Sequence, residues 1–188
     1  MTGIEISTRQ GHLLAYGIDR RYPMFRTLSD SVAEVHDDGG IVVVPHPLSW
    51  LTLSAHARTL TALVNSNDAR FRPDGIEMFN PSIAGRVSHG KAIALNRHRW
   101  QISQTGGSDA HHLHLIGSAR TSFPGRTVDD FRQALVLNTT SYTGRFWALG
   151  EHLDGFWEQQ LRSMILGPSY KIRRALSLVK SEGERAAE

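Results

Sequence analysis

The sequence predicts an α/β fold built from parallel strand–helix units, and three observations carry that reading. Apolar stretches of strand length alternate with stretches of helical spacing through residues 1–138. One of them, Ile41-Val42-Val43-Val44, is a continuous β-branched run, the pattern of a strand buried on both faces. Three of the expected strands also end in polar groups: His46, Glu77 to Asn80, and Asp109 with His111. Functional groups of βα barrels gather at the C-terminal ends of strands, because the loops there are free to vary.

Residues 1–6 read as a short strand carrying Glu5, and residues 12–18, after Gly11, as a second. Residues 28–36 have helical spacing, with Ser29 or Asp30 as the expected cap and Gly39-Gly40 as the stop. The strand 41–44 runs into Pro45-His46-Pro47, and two prolines cannot continue a ladder, so His46 is held at the strand tip. Residues 51–64 place Leu53, Ala57, Leu60 and Val64 on one helical stripe. A strand over 75–80 and a helix over 84–97 follow.

Residues 101–103 lead towards Gly106-Gly107-Ser108-Asp109-Ala110-His111. If residues 108–111 end a strand, Asp109 and His111 share one face with Cα atoms about 7 Å apart. The two glycines leave room for a ligand to approach. An extended stretch over 116–121, a turn at Pro124-Gly125 and a helix capped by Thr127 complete this part. Beyond Asn138 the texture changes to two helical stretches, 146–165 and 169–180, broken at Gly167-Pro168. The expected organisation is therefore a domain over 1–138 and a helical tail over 139–188.

Composition narrows the function classes. Hydrophobic content of 40% and charged content of 21% describe an ordinary globule, and a formal charge of +3 admits an anionic substrate. No aromatic-and-basic stripe argues for long nucleic acid. With no cysteine there is no disulfide framework and no thiolate metal site. No apolar run approaches the length of a membrane span, and the first residues lack a signal-peptide pattern, so a cytoplasmic protein is expected. Glu5, His12, His46, Asp109 and His111 are oxygen and imidazole donors, suited to Zn²⁺, Mn²⁺ or Fe²⁺. Glu77, Asn80 and Arg120 are expected on the substrate side.

Five motifs in order carry a resemblance: Gly3-Ile4-Glu5-Ile6-Ser7, Gly11-His12-Leu13-Leu14-Ala15-Tyr16-Gly17, Val44-Pro45-His46-Pro47, Asp74-Gly75-Ile76-Glu77 and Gly107-Ser108-Asp109-Ala110-His111. Together they resemble the later motifs of the PHP (polymerase and histidinol phosphatase) superfamily, over residues 1–138. The resemblance implies part of a distorted (βα)₇ barrel, up to three divalent ions (Mn, Zn or Fe), and hydrolysis of phosphate esters by a metal-bound hydroxide. It implies that Glu5 bridges two metals, that His12 and His46 complete one of them, and that Asp109 and His111 serve the others. Substrates in this class are phosphorylated small molecules, nucleotides or oligonucleotide ends, and a homo-oligomer is allowed.

The His-X-His and Thr-Asp-His motifs that open the superfamily's domain do not occur in this sequence. Removing the first strands of a closed barrel exposes a strand edge and an apolar interior. The expectation is that Met1 is a late-called start inside a longer reading frame. The alternatives are a non-catalytic remnant that binds or regulates through its C-terminal helices, and an amidohydrolase. The latter's bridging lysine has no counterpart at Glu5.

Overall fold

A computed structural model describes residues 1–148, 150 and 151. Two compact units divide the chain, 1–147 and 148–188. Nearly all of the second, with most of the expected helix 146–165 and all of 169–180, lies outside the described residues.

The first unit is mixed α/β. Five strands form one sheet in the order β1 (Gly3–Thr8), β2 (Gly11–Tyr16), β3 (Ile41–Val44), β4 (Gly75–Phe79) and β5 (Ser103–Gly106). Its helices are α1 (Leu28–Asp37), α2 (Ala57–Val64), α3 (Ile83–Arg86), α4 (His89–Leu95) and α5 (Val128–Val136). A second, two-stranded sheet pairs β6 (Ala119–Ser122) with β7 (Ser141–Gly144).

The expected all-parallel arrangement holds only for β3, β4 and β5. β1 and β2 form an antiparallel hairpin, and β2 runs antiparallel to β3. The reason is the length of the connection. Only Arg9 and Gln10 lie between β1 and β2, and a parallel pair needs a crossover of about a dozen residues. Among the described residues the sheet is open, with β1 and β5 at its edges, and no closed barrel forms.

Register sorts the side chains onto two faces. One face presents Ile6, Leu13, Ala15, Val42, Val44, Ile76 and Met78 to Leu28, Val32 and Val35 of α1 and Leu60 and Leu63 of α2, forming the main core. Each fully buried aliphatic side chain there contributes about 1.5–3 kcal/mol. The opposite face carries Leu14, Tyr16, Ile41 and Val43, covered by Phe131 and Leu135 of α5. The same face carries Glu5, His12 and Glu77, so one surface of the sheet is apolar at one end and polar at the other.

Several element bounds differ from the sequence expectation. Thr27 caps α1 through its hydroxyl, in place of Ser29 or Asp30. The expected helix 51–64 begins only at Ala57, because Thr52 and Ser54 are drawn into hydrogen bonds with His46. The expected helix 84–97 is broken into α3, α4 and a π-helical segment, Asn96–Trp100, whose Asn96 side chain exchanges two hydrogen bonds with the Ile102 backbone. β5 ends at Gly106, so Ser108 to His111 are loop and not strand. The Thr127 cap does form, as a full capping box with Asp130.

Candidate metal centre

Glu5 and His12 meet because the hairpin sets them on one face of adjacent strands: Glu5 pairs with Leu14 and Ser7 pairs with His12. His46 arrives from the loop after β3. It adopts a positive φ of 29°, a costly conformation for a side chain with a Cβ. Its backbone N–H donates to Glu77 Oε2 at 2.8 Å, which anchors the loop on the tip of β4. Its side chain is 3% exposed, and its Nδ1 lies 2.9 Å from Ser54 Oγ, so Nε2 is left to face Glu5.

The donor atoms of Glu5, His12 and His46 lie within 4.8 Å of one another. Glu5 Oε1 is 2.9 Å from His12 Nδ1 and 3.6 Å from His46 Nε2. Donors about 2.1 Å from one tetrahedral ion stand about 3.4 Å apart, and these two separations bracket that value. His12 Nδ1 is buried and, despite its closeness to the carboxylate, lies outside hydrogen-bonding geometry. A buried ring nitrogen without a hydrogen bond, beside a second imidazole and a carboxylate, fits a divalent cation. On His46 the ring nitrogen opposite Nε2 already has a hydroxyl partner, the arrangement that would fix a ligand imidazole.

Charge follows the same geometry. The Glu5 carboxyl is held below its ordinary range, first by the His46 ring at ion-pair distance and then by the charge of His12, against burial. Burial works to lower the His46 pKa, but the Glu5, Glu77 and Asp109 carboxylates outweigh it and the net shift is upward. Glu77 is 4% exposed, and burial pushes its carboxyl up to about 7 against the His46 N–H and the Asn80 amide.

Asp109 and His111 come to the same end of the sheet but stand outside the three-residue donor group. Asp109 has a positive φ of 48°, and its Oδ2 accepts from Asn80 Nδ2 at 3.2 Å. His111 is 58% exposed, and its Nδ1 lies 3.0 Å from the Asp109 carbonyl. A carbonyl only accepts, so Nδ1 is the donor in this contact. Both residues act on the centre through charge, Asp109 on His46 and His111 on Glu5.

The three residues expected on the substrate side fall in two places. Glu77 and Asn80 are buried beneath the His46 and Asp109 loops, whereas Arg120 is exposed on β6. Ser54 and Thr52 belong to the site's framework with no local signal in the sequence, and Gly107, one of the two glycines expected to leave room there, belongs to it as well. Ser54 and Thr52 hold His46, and a Cβ at Gly107 would collide with Glu77 Oε1.

No curated protein matches the chain. Residues 90–140, from α4 through α5, match the family model described as PHP-associated. That match, on a part of the chain separate from the Glu5–His12–His46 group, is consistent with a protein of the PHP superfamily.

Proposed function

We propose that this chain is a metal-dependent phosphoesterase of PHP type, its five-stranded sheet being part of that superfamily's barrel. The observation that carries the reading is the Glu5–His12–His46 group, two imidazoles and a carboxylate with mutually compatible separations. A divalent ion bound there polarises a phosphate oxygen and lowers the pKa of a water. Everything else is done by side chains. Glu5, ionised, supplies the compensating negative charge from an exposed position that substrate can reach, with 41% of its side chain open. His46 is fixed by Ser54 and by Glu77, so its Nε2 does not reorient as charge changes nearby. Asp109 and His111 stand one loop away, and in this reading they extend the centre to further ions.

The substrate class comes with the resemblance to the PHP superfamily: a phosphomonoester, a nucleotide or an oligonucleotide end. A test is metal content of the purified chain by elemental analysis, with hydrolysis of a generic phosphomonoester followed with and without Mn²⁺. Bound ion with Mn²⁺-dependent turnover that disappears in Glu5→Gln is the expected result. A chain that takes up no ion at millimolar Mn²⁺ overturns the reading.

A further inference from the structure

Both polar atoms of the Asn80 side chain are engaged. Its Oδ1 accepts from the Ser82 backbone N–H at 3.0 Å and from the Ser82 hydroxyl at 2.6 Å. A backbone N–H can only donate, so this contact fixes which end of the amide is oxygen. The nitrogen must then face the other way, where two carboxylates wait. Asn80 Nδ2 donates to Glu77 Oε2 at 3.0 Å and to Asp109 Oδ2 at 3.2 Å. An amide nitrogen has two hydrogens, one for each acceptor.

The carboxylates it joins belong to different elements, Glu77 to strand β4 and Asp109 to a loop. Glu77 Oε2 also accepts the His46 backbone N–H, and its Oε1 fills the space that a Cβ at position 107 would need. Asp109 lies in the loop that leaves β5. Asn80 is 2% exposed, so it is not placed to meet substrate. From the loop after β4 it ties the loop that carries His46 to the loop that carries Asp109.

We infer that Asn80 is a positioning residue, which sets the Asp109 carboxylate in register with the His46 side of the metal centre through the Glu77–Asn80–Asp109 bridge. This rests on the metal reading above. It differs from a general packing role, because the effect of Asn80 must pass through Asp109.

Two measurements on the full chain test it. The first needs no metal: the Asn80 side-chain amide is followed by ¹H–¹⁵N spectroscopy in the wild type and in Asp109→Ala. The inference expects the amide pair to shift in the variant, and an unmoved pair overturns it. The second is calorimetric Mn²⁺ binding across a double-mutant cycle of Asn80→Ala and Asp109→Asn. Asn80→Ala alone is expected to weaken Mn²⁺ binding by about 10-fold, the lower end of what outer partners of a metal site cost. In the Asp109→Asn background the same change is expected to cost less than about 2-fold. An undiminished loss in that background overturns the positioning role and marks Asn80 as packing. If the wild type binds no Mn²⁺, the metal reading fails and the positioning role with it, while a shifted amide still reports that the bridge is formed.

Discussion

Two imidazole–carboxylate pairs in this molecule have the same 2.9 Å separation and opposite character. His36, at the end of α1, meets Asp74 through Nε2, and its Nδ1 lies 2.8 Å from the Arg70 carbonyl. Both acceptors demand a proton, so the ring donates from both nitrogens. Asp74 Oδ2 also takes the Val42 backbone N–H at 2.7 Å, which clamps the start of β4 to β3 and α1. Both ring nitrogens of His36 are then in use. At Glu5 the same spacing to His12 comes without hydrogen-bond geometry, and the second imidazole stands at 3.6 Å. Distance alone does not separate a structural clamp from a ligand set. The donors and acceptors still unused around each pair do.

The contrast breaks most visibly at Glu5. Glu5→Gln is expected to weaken Mn²⁺ binding by more than the about 100-fold upper range of outer partners, and to leave urea stability within about 0.5 kcal/mol. A variant that keeps its ion but melts early makes Glu5 a clamp as well. Asp74→Asn should do the reverse. Losing the charged acceptor of two donors should cost about 2 kcal/mol in urea unfolding, with Mn²⁺ affinity unchanged. Ser54→Ala comes next, with about 10-fold weaker Mn²⁺ binding because His46 loses the partner that orients its ring.

The smallest effect is in pH. Burial acts to lower the His36 pKa, but the bond and charge of Asp74 outweigh it and the net shift is upward. A raised histidine pKa stabilises the folded state fully below the unfolded value of about 6.5, and the contribution fades as pH rises through the folded value. The stability gap between wild type and Asp74→Asn should therefore narrow between pH 6 and pH 9. A gap that widens contradicts the assignment of a doubly donating ring.

How much of this was legible depended on whether the information was local. The strand Ile41–Val44 and the Thr127 cap rest on their own residues and were read with their bounds. The hairpin was not, since Arg9-Gln10 lacks the Asn-Gly or Asp-Gly signature that announces a two-residue turn. His36 reads as a surface helix residue because its partner lies 38 positions away. Grouping Glu5 and His12 with His46 came from the order of motifs, and the structure does bring those three together. Asp109 and His111 were expected on a strand, but the ladder ends at Gly106, before the chain reaches them. The Asn80 bridge joins loops that only the closed fold makes neighbours, so no spacing along the chain announces it.

Gly107 carries a consequence for how the molecule tolerates change. The obstacle to a side chain there is Glu77 Oε1, the end of a side chain that ordinarily would swing aside. Here the same carboxylate is buried and held twice through its other oxygen, so it has nowhere to go. In a saturation library selected for folded protein, position 107 should keep glycine almost alone, while the neighbouring Ser108, which makes no hydrogen bond among the described residues, accepts many replacements.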